Sequence, residues 1–215
     1  MNCNCPDDGI LEEIPNEKCP FDLKQIQRLA FATQGKVIWD SATGGGAGDG
    51  VPQVNSQVDT KADWEARRVA VDNTKIVVTP LIVGDPIIEA GDAITEGGGD
   101  NTTLNGVEEV TGVNPSKFSC NFKSILPETE KALKKIMCKA TEVYFFVEGG
   151  RIACQSIDKT LNHKGFNVQS LFVSDRNNEG YGTKDKNDLS FSLASGWSEN
   201  LVIVKPADFN PLYDI

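Results

Sequence analysis

The sequence predicts a mainly β protein, an antiparallel β-sandwich or barrel with one flanking α-helix and a long protruding β-hairpin. Roughly eight to ten short segments rich in β-branched and aromatic residues are separated by turn residues at fairly even spacing. A full set of helix signals occurs only at residues 127–140. Parallel βαβ units would need more helices than this, so an antiparallel arrangement is favoured.

Composition separates an arm from one domain. Residues 1–20 are rich in Pro, Asn, Asp and Glu, which predicts an extended arm without the basic and apolar regions of a secretion signal. We expect residues 21–215 to form a single β-rich domain with a long loop at 43–57 and a hairpin finger at 87–113. No stretch approaches the roughly 20 apolar residues of a membrane-spanning helix.

The first apolar segment carries a mixed signal. Its apolar positions over 21–33 fit both a helical stripe and strand alternation, and we favour a strand that continues into 36–40. Farther along, Thr60 followed by Asp63 resembles a capping box, which predicts a short helix over 61–68.

The middle of the chain is predicted to be β. A β-branched run at 74–83 is interrupted by Pro80, which indicates an edge strand or a bulge because proline cannot donate to a sheet. Residues 86–94 and 105–113 predict the two arms of the finger. Residues 116–125 alternate Phe and Cys with polar residues, as a half-buried strand does.

Residues 127–140 predict an α-helix. Pro127 suits the first turn, and the glutamates of that turn and the lysines toward the other end complement the helix dipole. We expect one apolar face to pack on a sheet, and its members are Leu133, Ile136, Met137 and Ala140.

The C-terminal third predicts further strands. Residues 142–148 and 151–157 flank Gly149 and Gly150, which is a strong hairpin signal. Three more strands are predicted within 165–175, 188–197 and 200–206.

The charge of the chain disfavours tight binding to nucleic acid. Asp and Glu number 31 against 21 Lys and Arg, a formal net charge of −10, and the cations are scattered. Proteins that bind nucleic acid need clustered cations that displace counterions from phosphates. A negative surface instead suits a channel through which nucleic acid slides without being gripped.

The six cysteines are predicted to be reduced thiols, since the chain is long and no secretion signal is expected. Cys3, Cys5 and Cys19 form a C-x-C…C set. Its spacing is not that of a zinc site and no fourth ligand lies nearby, so we expect no metal there.

Calcium and nucleotide sites are not favoured either. Asp92, Asp100 and Asn101 offer oxygen ligands, but the spacing of a calcium loop is absent and turn chemistry selects the same residues. The glycine-rich run 43–50 lacks the Lys and Ser or Thr of a phosphate loop, because Val51 follows its last glycine. We therefore expect no cofactor.

No catalytic constellation is predicted, and we expect a protein that is not an enzyme. His163 is the sole histidine and is interpreted as a solvent-exposed turn residue. Glu108 and Glu109 adjoin in a predicted strand, so their side chains point to opposite faces and cannot act as a glycosidase pair.

Four phrases in the last hundred residues form a recognisable pattern, which extends over about residues 76–210: FKSILPETEKAL, VYFFV with a Gly-Gly turn, LFVSDRNNEGYG and GWSENLVIVKPADFNPL. This pattern resembles structural proteins of bacteriophages that infect Bacteroidetes. The layout of a sandwich, a single helix and a long hairpin is similar to the tail-tube fold. The N-terminal arm and the loop at 43–57 have no counterpart in the resemblance.

The resemblance implies a virion protein, assembled in the host cytoplasm, that forms stacked and usually sixfold rings around an electronegative DNA conduit. Its partners would be further copies of itself, other virion proteins, and DNA that passes without specific binding. In this interpretation the finger carries the assembly contacts. The candidate residues are Ile87, Ile88, Ile94, Gly97, Gly98, Gly99, Asp100, Asn101, Leu104, Val107 and Val110.

Two alternatives stay open at this point. The same phrases fit another virion component, such as a connector, baseplate or decoration protein. A carbohydrate-binding β-sandwich would use Trp39, Trp64 or Trp197 as a sugar platform, although tryptophans this far apart are more often core or interface residues.

Overall fold

The computed structural model describes residues 22–40, 57–99, 102–157 and 162–215. The predicted arm at 1–20 and all of the predicted loop at 43–57 except Gln57 lie outside these ranges. Every strand pairing in the described ranges is antiparallel, which confirms the mainly β prediction.

Short strands and two α-helices make up the described part of the chain. The strands are β1 (Ile26–Thr33), β2 (Trp39–Asp40), β3 (Val77–Val78), β4 (Ile87–Glu89), β5 (Ala93–Glu96), β6 (Glu109–Val113), β7 (Ser116–Lys123), β8 (Thr141–Val147), β9 (Arg151–Ser156), β10 (Asn162–Lys164), β11 (Phe166–Val173), β12 (Lys186–Leu193) and β13 (Leu201–Val204). The helices are α1 (Lys61–Val69) and α2 (Pro127–Ile136). Neither helix is long and apolar enough to cross a membrane.

Strands β1, β8, β11, β12 and β7 form most of a closed barrel. β8 pairs with β1 along its whole length and with the start of β11, and β12 pairs with β11 and β7. Residues 77–89 close the ring, because β3 pairs with β1 and β4 pairs with β7. In the segment that connects β3 to β4, the Ile82 N–H donates to the Gln27 carbonyl (2.9 Å) and the Val83 N–H donates to the Asn121 carbonyl (3.3 Å). This segment therefore contacts both ends of the ring.

The barrel interior is filled by alternate residues of these strands. Phe118 stacks on Phe191 with ring centroids 4.6 Å apart, and Phe145 stacks on Phe166 at 5.4 Å. Each such side chain, buried completely, stabilises the fold by about 1.5–3 kcal/mol. The other strand residues of this core are Ile26, Leu29, Phe31, Cys120, Phe122, Val143, Val147, Ala153, Val173, Leu189 and Leu193.

Helix α2 packs against this core with the predicted apolar face. Leu133 is buried, Ile136 and Met137 pack beside it, and the Val173 N–H of β11 donates to the Met137 sulfur (3.0 Å). The helix ends at Ile136 rather than at residue 140, so Ala140 is exposed and not part of the face.

A second core lies on the opposite face of β8 and β9. It contains Tyr144 and Phe146 of β8, and Trp64 of α1 covers them. Trp64 also stacks on Trp39 with centroids 4.6 Å apart. Since odd residues of β8 enter the barrel and even residues enter this second core, all seven residues of the strand are buried.

The C-terminal segment completes the second core and is held by Arg28 of β1. Phe209, Leu212 and Ile215 are buried in this core. The Arg28 guanidinium donates to the carbonyls of Thr79 (2.6 Å), Leu212 (3.1 Å) and Ile215 (2.6 Å). Burial lowers the pKa of Arg28 from its ordinary value.

Helix α1 occupies the predicted position, but its start differs from the predicted capping box. Thr60 makes no side-chain hydrogen bond to the first turn. The Asp63 carboxylate instead accepts from the Gln57 N–H (2.8 Å), which ties the helix to the residues before it.

Residues 162–168, which we call the wedge, separate the far ends of β8 and β9. The two strands begin as the predicted hairpin around Gly149 and Gly150, with Phe145 opposite Ala153. Beyond that point β10 pairs with β9 and β11 pairs with β8, so the segment 162–168 fills the gap between them. Its residue Gly165 lies against β8, where an added Cβ would lie 2.7 Å from the Glu142 Cβ and 3.1 Å from the Val143 nitrogen.

The prediction of a solvent-exposed turn for His163 is wrong. His163 lies on β10, opposite Ser156 of β9 and Trp39 of β2, and is only 5% exposed. The wedge buries it, since β10 has a neighbouring strand on each edge. That pairing links residues distant in sequence, which local turn chemistry cannot reveal.

Glu142, also beside the wedge, is a buried carboxyl. It is 1% exposed, and its Oε1 accepts a hydrogen bond from the Gly35 N–H (2.9 Å). Burial raises the pKa of Glu142, and the Gly35 hydrogen bond and the Lys164 charge oppose that effect only in part.

We expect Gly165→Ala to destabilise the protein by about 1–3 kcal/mol, because its methyl group would overlap β8. Urea unfolding measures the effect. Gly112→Ala is the matched control, since its Cβ would meet only Ile94 side-chain atoms at 3.6 Å or more. Equal stability of both variants would contradict the close approach at the wedge.

We expect Glu142→Gln to remove a pH dependence of stability. The carboxyl titrates near 4.5 when unfolded, and its folded pKa is higher, so unfolding releases a proton above pH 4.5. The free energy of unfolding of the wild type, relative to the variant, should therefore fall as pH rises through and above 4.5. Urea titrations across this range measure it, with the exposed Glu148→Gln as control. A constant difference would exclude a raised pKa.

Candidate assembly surface

The finger is a two-stranded sheet that does not join the main sheet. β5 and β6 pair with each other alone, from Ala93 opposite Val113 to Glu96 opposite Glu109. The Thr111 hydroxyl donates to the Ile94 carbonyl (3.2 Å) and supports the pairing. A hairpin of this size has no core of its own and is marginally stable in water.

The base of the finger is fixed to the barrel. β4 pairs with β7, and Ile88 is half-buried against the barrel core, so this candidate residue anchors the finger from inside. At Gly91 the two arms approach so closely that a Cβ would lie 1.7 Å from the Asn114 carbonyl oxygen. The Asn114 N–H donates to the Asp92 carbonyl (2.9 Å) at the same level.

The tip is held by its own hydrogen bonds. The N–H groups of Gly98 and Gly99 both donate to the Gly106 carbonyl, at 3.2 and 3.1 Å. Gly97 has φ +93° and a Cβ there would lie 2.3 Å from the Val107 carbonyl oxygen, so only glycine fits. Asp100 and Asn101, two further candidates, lie outside the described residues.

Apolar side chains of the finger face solvent. Leu104 is 82% exposed, Val110 59% and Val107 56%. Ile87, Ile94 and Val113 are also exposed, each by nearly half. Exposed apolar groups on a protruding element make the finger a candidate interaction surface.

The finger is also uniformly acidic. No Lys or Arg occurs within 87–113, and its acidic residues are Glu89, Asp92, Glu96, Asp100, Glu108 and Glu109. Glu96 and Glu109 are directly opposite each other in the β5–β6 register. Like charges opposed across two strands repel, so an approaching cationic surface would stabilise the finger.

A second feature, a pocket with several lysines, was not identified from sequence. It has a volume of about 360 Å³ and is lined by Asn121, Lys123, Glu179, Gly182, Thr183, Lys184 and Lys186. Lys123 of β7 is directly opposite Lys186 of β12, and Glu179 forms an ion pair with Lys186. The lysines come together only through the β7–β12 register, so no local motif signals them. We call this site the lysine pocket.

The tryptophans do not form a sugar platform. Trp39 and Trp64 are fully buried in the second core, and the Trp64 indole N–H donates to the Val58 carbonyl (2.8 Å). Trp197 is half-buried and packs edge-on against Phe166 at 5.4 Å. No observation on these side chains favours the carbohydrate-binding alternative.

The described cysteines are free thiols. Cys120 and Cys154 are buried, and burial raises the pKa of Cys154 to about 12, which makes it a poor nucleophile. Cys3, Cys5 and Cys19 lie outside the described residues. Within the described ranges, no group of three or more His, Cys, Asp or Glu side chains is arranged to hold a metal ion.

Known structures resemble part of the chain at low sequence identity. No protein-family model and no curated protein matches it. A chain of "Virion of native gene transfer agent (GTA) particle" is similar over 59% of this chain and 88% of its own length, with a TM-score of 0.32 and 12% identity. For a chain of "Tail of empty GTA particle computed with helical refinement, C6 symmetry" the values are 59%, 83%, 0.32 and 11%. Likenesses this weak carry no functional argument.

We expect backbone amides of β5 and β6 to exchange hydrogen at least about a hundredfold faster than those of β8 in dilute protein, because the finger lacks a core and β8 is buried on both faces. Hydrogen exchange with mass spectrometry measures this. Equal protection would mean that the finger is already covered in the dilute protein.

Proposed function

We propose that this chain is a non-enzymatic structural protein of a bacteriophage virion, and that it is the tail-tube subunit. Copies would assemble in the host cytoplasm into rings, sixfold in the resemblance, which stack around a DNA conduit. The single observation that carries the proposal is the finger: a protruding hairpin with exposed Leu104, Val107 and Val110 and no cover from its own barrel.

Assembly gives this exposure a physical role. A further copy can cover the apolar side chains and order the hairpin, and each Val or Leu side chain fully removed from water contributes about 1.5–3 kcal/mol. A closed barrel is a suitable support for such an element, because its strands have few open edges that pair with other chains at random.

The charge of the chain is consistent with a conduit. A formal net charge of −10 repels phosphates, so DNA in the lumen would pass without specific binding. A connector, baseplate or decoration protein would share the acidic surface, but the finger favours a subunit that contacts its own copies in a repeated way.

Assembly should depend on the apolar face of the finger. We expect wild-type protein to form rings or tubes with a central hole as its concentration rises, in negative-stain electron microscopy with light scattering on the same samples. Leu104→Ser with Val110→Ser should raise the concentration required at least about tenfold, because two exposed apolar contacts are lost.

Val71→Ser is the matched control, since Val71 is fully exposed but lies outside the finger. It should assemble as the wild type does. Normal assembly of the finger variant would show that the finger is not the joint, and wild-type protein that stays monomeric at every concentration would contradict self-assembly.

A further inference from the structure

We propose that the acidic finger of one copy docks in the lysine pocket of the next copy, so that subunits join head to tail. This inference rests on the proposed function and adds to it the surface that receives the finger. The charges of the two surfaces, the apolar residues beside them and their positions on the barrel support this contact.

The finger is acidic, and the pocket has three lysines and one glutamate in its lining. On the finger, Glu96 and Glu109 are directly opposed. In the pocket, Lys123 and Lys186 are directly opposed, and Lys184 lies on the same lining. Glu96 and Glu109 repel each other when the finger is free. In the pocket Lys186 already pairs with Glu179, and among the ion pairs of the described residues neither Lys123 nor Lys184 takes part. The carboxylates of the finger would supply partners for these two lysines.

The surroundings of the pocket match the apolar side chains of the finger. The Val83 N–H donates to the carbonyl of Asn121, a lining residue, so Val83 is adjacent to the pocket. Val83 and Leu81 are nearly half exposed on the outer side of the barrel, while Ile82 between them packs inward. An acidic hairpin that also presents Val107 and Val110 finds both kinds of contact here.

The finger of the same chain leaves the barrel at the opposite end. It departs after Glu89, which pairs with Lys117 at the start of β7, and returns at Ser116. The pocket contains Lys123, at the other end of that strand. Lys117 and Lys123 are six positions apart along the strand, a distance of about 20 Å. The occupant is therefore assigned to a second copy.

A contact between two different surfaces of identical chains is heterologous, and repetition of it generates rings or open polymers. Because finger and pocket lie at opposite ends of the barrel, repetition here extends along the barrel strands. This polarity suits the stacking of one layer of subunits on the next.

A charge exchange tests the contact. We expect Lys123→Glu with Lys184→Glu, and separately Glu96→Lys with Glu109→Lys, each to lose assembly by about tenfold or more at low salt, since like charges then face each other. An equimolar mixture of the two variants should assemble again, because each reversed surface meets its complement on the other variant. Light scattering and electron microscopy measure both results.

The matched control for the pocket variant is Lys131→Glu with Lys139→Glu. Lys131 is on α2 and Lys139 follows it, both are exposed outside the pocket, and the net charge changes by the same amount as in the pocket variant. It should assemble as the wild type does. Thermal unfolding of every variant verifies that the fold is retained.

Carbodiimide cross-linking of mixed ¹⁴N- and ¹⁵N-labelled wild-type protein provides a second readout that does not need large polymers. We expect links between different copies that join Lys123, Lys184 or Lys186 to Glu96 or Glu109. Cross-links from the finger to other lysines alone, or normal assembly of the pocket variant, would overturn the docking site and leave the proposed assembly intact. Loss of assembly in the Leu104 and Val110 variant with no effect in either charge variant would do the same.

Discussion

The burial of β8 on both faces is the constraint on which the rest of the structure depends. Its odd residues need the barrel and its even residues need the second core, so neither layer is optional. Both edges of β8 are also paired, one by β1 and the other by β9 and β11 in turn. The split between β9 and β11 creates the wedge, and a residue without a side chain, Gly165, is required where the wedge meets β8.

The sequence was informative wherever a signal was local. Pro127 and the charge pattern located α2, and Gly149 with Gly150 located the β8–β9 hairpin. It misled where a tertiary contact decides. His163 is in the polar run DKTLNHKG but lies between two strands, and the Asp63 carboxylate accepts from the Gln57 N–H rather than completing a capping box. The finger was predicted as a hairpin from its turn residues. The lysine pocket had no local signal, because Lys123 and Lys186 meet only through strand register.

The barrel also gives the molecule a direction. The finger ends where β7 begins, at Ser116, and the pocket residue Lys123 lies at the other end of β7. A single strand therefore connects the two surfaces. Acidic and apolar groups gather at one end, and lysines beside Leu81 and Val83 at the other. The overall negative charge hides this asymmetry, since averages over a chain do not report how its charges are distributed.

The pairing of β1 with β8 also governs how the protein is made. On the ribosome, β1 emerges with apolar residues on both faces and has only the two-residue β3 as a partner until β8 has been synthesised. At about 5–20 residues per second, that interval lasts on the order of 5–20 seconds. A nascent chain with such a strand exposes unpaired backbone and apolar surface to its neighbours for that interval, and the late synthesis of β8 makes this the stage most open to misassembly.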